Sequence, residues 1–171
     1  MHPHLGGRGL TLIEIIVALA VLTVLSAIAL PGFGARLERE RLHGAAEALA
    51  ADVNEARFEA VRQGRPLHVS ASQGPAWCWA VTTDPDCPCG SGQACQLRSA
   101  REHDHPGVTL RSTGQVELGA DGRATMPVSS FELESRHGMR LRVSVGTMGR
   151  AHVCTLRNGA PAATWRHPPC S

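Results

Sequence analysis

Residues 7–34, GRGLTLIEIIVALAVLTVLSAIALPGFG, decide how the rest of the chain is read. From Leu10 to Leu30 the run is apolar except for Thr11, Glu14, Thr23 and Ser26. At 1.5 Å per residue it makes a helix roughly 32 Å long, the thickness of a bilayer core. Glu14 sits near its start. A carboxylate in hydrocarbon costs roughly 2.5–3.5 kcal/mol on insertion scales, so its presence calls for a partner charge. Pro31, Gly32 and Gly34 then predict a kink or soft spot in the helix.

Beyond Ala35 the pattern turns amphipathic. Leu42, Ala45, Ala46, Leu49, Val53, Ala56 and Ala60 recur at three- and four-residue steps, with Arg39, Glu40, Glu47, Asp52 and Glu55 mostly on other faces. Gly64 and Pro66 predict the stop, so residues 10–63 read as one helix. After Pro66 the period becomes two. Leu67/Val69/Ala71, Trp77/Trp79/Val81, Val108/Leu110, Val116/Leu118, Phe131/Leu133 and Met139/Leu141/Val143/Val145 predict antiparallel strands. Residues 83–107, polar and holding three cysteines, read as a long loop. The expectation is an α+β fold: a long N-terminal helix, membrane-spanning and then amphipathic, packed on an antiparallel sheet. Its parts are a leader at 1–9, an apolar helix at 10–30, an amphipathic continuation at 31–64 and a β domain at 65–171.

The net charge of +2 makes the whole chain no obvious polyanion binder, and its basic residues are all arginine. Six cysteines, all between Cys78 and Cys170, suit an oxidising compartment and so an exported body. A Cys-x-Cys at 87–89 beside His103-x-His105 is poor zinc spacing, and no metal or cofactor is expected. No G-x-S-x-G, P-loop, H-E-x-x-H or C-x-x-C is present, so no enzyme is expected.

The N-terminal residues carry a resemblance. Gly9-Leu10-Thr11-Leu12-Ile13-Glu14 resembles the cleavage and methylation motif of type IV prepilins and pseudopilins: glycine before the cut, an apolar residue after it, glutamate fifth in the mature chain. Pro31 falls at the position where pilins commonly carry proline. The resemblance implies a type IV pilin-like fold, cleavage between Gly9 and Leu10 by the prepilin peptidase, and N-methylation of Leu10. It implies a single-pass protein of the bacterial inner membrane with its body in the periplasm, later moved into a pilus or pseudopilus with other pilins. In that setting Glu14 pairs with the amine of a neighbouring subunit, and an opposite charge makes its burial tolerable. An ordinary secretory signal cut after Ala29 is the competing reading, set aside because of the carboxylate and the apolar length.

The helix-then-sheet body resembles the GspH/FimT family of minor pilins and pseudopilins. Gly149-Arg150-Ala151-His152-Val153-Cys154 resembles the glycine-arginine-x-arginine and cysteine motif of FimT-like minor pilins, with His152 in place of the second arginine. That resemblance implies sequence-independent DNA binding for uptake in natural transformation. The strand parity agrees: Arg140 and Arg142 alternate with Leu141 and Val143, and Arg150 and His152 with Ala151 and Val153. With Arg157 they form a candidate phosphate-binding patch. The same arginines also suit a solvated strand face opposite Glu132 and Glu134. The alternative function is a structural GspH-type pseudopilin of a type II secretion system. Cys154 and Cys170 bracket a tail much as C-terminal disulfide loops do in pilins. Cys78, Cys87, Cys89 and Cys95 leave three connectivities open, with Cys87–Cys89 the most strained.

Overall fold

The computed structural model describes residues 11–90, 92–125, 129–156 and 167–170, with the backbone alone at 28–33. One helix, α1 (Leu12–Gln63), is followed by eight strands: β1 (Leu67–Ser72), β2 (Cys78–Thr82), β3 (Gln96–Arg101), β4 (Val108–Leu110), β5 (Gly114–Leu118), β6 (Ser129–Ser135), β7 (Arg140–Val145) and β8 (Ala151–Thr155). The helical assignment runs on through Pro31. It ends where the Gly64 amide bonds the Val61 carbonyl and the Arg65 amide bonds that of Ala60, the paired bonds of a Schellman stop.

The chain divides into two units, Met1–Leu37 and Glu38–Ser171. In the first, the described apolar side chains of α1 are exposed, Leu12 at 76% and Val24 and Leu25 at 60%. In the second, the strands make two four-stranded antiparallel sheets rather than one, ordered β3-β2-β1-β5 and β4-β6-β7-β8. Bonds from the edge strand β5 to the start of β6 link them, such as the Ser129 hydroxyl to the Gln115 carbonyl at 3.1 Å.

All seven residues of the sequence-predicted helical stripe, Leu42 to Ala60, are buried. They share one core with Leu67, Val69, Trp77 and Trp79 of the first sheet region and Phe131, Leu133, Leu141, Val143 and Val145 of the second. Each large side chain removed from water there contributes about 1.5–3 kcal/mol. β7 alternates strictly, with Leu141, Val143 and Val145 buried and Arg140, Arg142 and Ser144 half-buried.

Residues 83–107 are not a loop throughout, because β3 lies within them, followed by a single 3-10 turn at Glu102–Asp104. The strand has no buried residue, so neither face imposes an apolar alternation, and its pairing with β2 defines it instead.

Candidate functional site: the first helical turn and the β7–β8 hairpin

At the start of α1, Thr11 caps the helix: the Glu14 amide donates to its carbonyl at 3.1 Å and approaches its hydroxyl at 3.4 Å. Glu14 lies in the first turn, where a carboxylate complements the helix dipole. The hydroxyls of Thr23 and Ser26 donate back to the carbonyls of Leu19 (2.7 Å) and Leu22 (2.8 Å). These two hydroxyls within the apolar run are thereby satisfied inside the helix. Among the described residues no helix is long and apolar enough to cross a membrane. Gly9 and Leu10 lie outside the described residues.

The β7–β8 register sets Arg142 opposite Cys154, Ser144 opposite His152 and Val145 opposite Ala151. The four described residues of the sequence-predicted patch therefore divide into two kinds. Arg140 donates to Glu134 at 3.1 Å and Arg142 to Glu132 at 2.6 Å, both across β6. Arg111 also bonds Glu134. Burial pushes the Glu134 carboxyl upward, but the bonds from Arg140 and Arg111 outweigh it and hold it below the usual carboxylate range. Arg150 and His152, by contrast, are exposed and face no carboxylate among the described residues. Arg157 lies outside them.

What holds this hairpin is a set of contacts that the sequence did not announce. Gly149 has φ +69° and is buried at the turn; its amide donates to the Gly146 carbonyl at 2.8 Å. A β-carbon there would lie 2.3 Å from the carbonyl oxygen of Gly122 and 3.2 Å from Cδ of Arg57. Arg57 Nε donates to that same Gly122 carbonyl at 3.0 Å. One residue on, the Asn54 side chain grips Ala151 twice: its Nδ2 donates to the Ala151 carbonyl (3.1 Å) and its Oδ1 accepts from the Ala151 amide (3.0 Å). The helix thus fixes the backbone just after Arg150 through Asn54, and through Arg57 it holds the Gly122 carbonyl against which Gly149 packs.

The tail is held at the far end of β8. Cys154 bonds Cys170, the Thr155 amide donates to the Pro168 carbonyl (2.9 Å), and the Cys170 amide to the Thr155 carbonyl (3.1 Å). A loop of this size contributes about 3 kcal/mol in the chain-entropy model. The other bridges are Cys78–Cys89 and Cys87–Cys95.

No cluster of His, Cys, Asp and Glu able to hold a metal occurs among the described residues. His103 pairs with its neighbour Asp104 at 3.4 Å. His105 stacks on Trp79 and Trp77, with ring centroids 5.1 and 6.3 Å away. Burial pushes its pKa below the ordinary value, against smaller upward pulls from Asp104 and Asp52. A histidine lowered in the folded state supports stability above its unfolded pKa, about 6.5, and loses that support as pH falls through the folded value. Stability in urea should decline from pH 7 toward pH 5, and His105→Phe should flatten that decline.

Comparison with known proteins adds the following. Residues 45–149 match the family model described as type II transport protein GspH, and residues 7–30 match the prokaryotic N-terminal methylation motif. No curated protein sequence matches the chain. Two crystal structures of the type IV minor pilin FimU of Pseudomonas aeruginosa, in space groups P21 and P65, are similar in fold at 22% identity. The first aligns with TM-score 0.53 over 73% of this chain and 96% of the other, the second with 0.50 over 71% and 98%.

Proposed function

Because this chain belongs to the GspH family, whose members are type IV minor pilins and pseudopilins, we propose that it is a minor pilin that presents a DNA-binding turn. Pilins assemble with other pilins after the prepilin peptidase has acted, and here the cut falls between Gly9 and Leu10, with Leu10 methylated. Residues 10–30 anchor the precursor as a single pass in the inner membrane with the body in the periplasm, until the subunit enters a pilus or its tip. The β7–β8 turn then meets DNA, with Arg150 as the first contact and His152 the second, for uptake in natural transformation.

The observation that carries this reading is the contrast within the hairpin. Arg140 and Arg142 are paired with Glu134 and Glu132, whereas Arg150 stands exposed with no carboxylate partner among the described residues, beside a backbone held by Asn54 at Ala151. An unpaired guanidinium on a fixed turn is free to fork onto phosphate oxygens, which carry no sequence information. Arg140 and Arg142, with Arg157 beyond the described residues, have a supporting share at most.

The test is a mobility shift with the full chain in detergent at low salt. Wild type should retard DNA of any sequence. Arg150→Ala should weaken binding several-fold and reduce the salt slope by about 1, the signature of one lost phosphate contact. If wild type retards no DNA, the second reading stands: a structural pseudopilin of a type II secretion system. That reading is favoured by the ion pairs that engage Arg111, Arg140 and Arg142 on the outer face of β6 and β7.

A further inference from the structure

The Gly122–Gly149 contact brings together more than a turn. Arg57 bonds the Gly122 carbonyl, Arg123 follows Gly122, and Arg150 follows Gly149. Three arginines from three separate segments converge on one glycine-to-glycine junction. Among the described residues, the one carboxylate paired with any of them is Asp121, 3.8 Å from Arg123 with both side chains 65% exposed, a pair worth little in water. Beside the junction stands Phe58, 67% exposed on α1. The Arg57 guanidinium lies over one face of its ring, 5.3 Å from the centroid.

A single exposed aromatic is ordinary by itself. This one is held. Arg57 is anchored through Nε to a backbone carbonyl, so it fixes the ring from one side while its outer nitrogens remain for a phosphate. Most of the side chain is left to solvent. Proteins that bind single strands combine these two parts: cations that follow the backbone and an aromatic face on which an unpaired base stacks. A duplex cannot use the second part, because its bases are already stacked on each other.

We propose that Phe58, backed by Arg57, is a base-stacking platform, and that the site built by Arg57, Arg123 and Arg150 takes single-stranded DNA in preference to duplex. This rests on the DNA-binding reading above and adds to it a substrate class and a residue outside the hairpin.

The experiment is fluorescence anisotropy on the full chain in detergent, with labelled oligo-dT and a labelled duplex of equal length at one salt concentration. Wild type should bind the single strand more tightly. Phe58→Ala should weaken single-strand binding about five- to a hundredfold, the range of one lost stacking contact, and leave duplex binding unchanged. Phe58→Trp should retain the preference. Phe58 is exposed, so neither change threatens the core. Equal loss on both DNAs, or no loss on the single strand, overturns the platform while the phosphate contacts of Arg150 survive. A Phe58→Ala variant whose self-association changes in sedimentation while both affinities hold makes the patch a protein contact and also overturns it. Wild type binding neither DNA removes the underlying DNA-binding reading, and this inference with it.

Discussion

Replacing Gly149 with alanine is expected to cost about 2–5 kcal/mol of stability, the sum of left-handed backbone strain and overpacking. Melting should fall by about 6–15 °C for a body of this size. The residue has φ +69°, where a β-carbon already clashes with its own carbonyl. The added methyl would also stand 2.3 Å from the Gly122 oxygen, a backbone atom that cannot swing aside. To relieve the overlap, the turn must withdraw from the 119–123 loop. That movement endangers the Arg57–Gly122 bond and the Ala124–Thr147 bond (3.1 Å) together. Gly138 is the control: it has φ +78° and nothing within 4 Å of its β-carbon position, so Gly138→Ala isolates the backbone term. Urea titration of both variants separates the contributions. Equal losses would show that the close contact contributes nothing. The comparison also guards the DNA experiments, since a Gly149 variant that loses DNA does so through its fold.

The second large effect concerns Glu14. Glu14→Ala should leave cleavage after Gly9 and membrane retention intact while incorporation into filaments drops about tenfold or more. Taking one partner from a buried ion pair costs about 3–5 kcal/mol, well above a tenfold change in partition. The carboxylate has no side-chain partner among the described residues, and its helix turn is capped by Thr11 without it. Its loss therefore costs the isolated subunit no more than the helix-dipole contribution, about 0.3–1 kcal/mol. In an assembled filament the same group would face the free amine of a neighbouring chain in a low-dielectric setting, where the attraction is strong. Immunoblots of sheared filaments against membrane fractions read the outcome. Normal filament content in the alanine variant would end the pairing argument.

Much of the fold was legible in the sequence because burial imposes a period. The helical stripe from Leu42 to Ala60 and the alternation of β7 each record which face meets the core. What was hidden lacked that record. Strand β3 buries neither face, so its six residues read as loop. The split into two sheets depends on which strands pair, which side-chain alternation does not encode. The functional hairpin shows the same division. Parity placed Arg140, Arg142 and His152 on the outer face and suggested Glu132 and Glu134 opposite; the cross-strand register adds which meets which, Glu134 with Arg140 and Glu132 with Arg142. Asn54, Arg57 and Gly122 were invisible because their partners lie 97, 65 and 27 residues away in the chain. The connectivity of four cysteines within one segment was open for the same reason.

The bonds along β8 carry one more consequence. An outermost strand normally offers a ladder of amides and carbonyls to any extended polypeptide nearby. Here the Asn54 amide occupies that ladder at Ala151, and Pro168 and Cys170 occupy it at Thr155. A passing unfolded chain finds no free run long enough to zip onto. Neighbouring copies of the chain are thus kept from uncontrolled sheet-to-sheet coalescence along this margin.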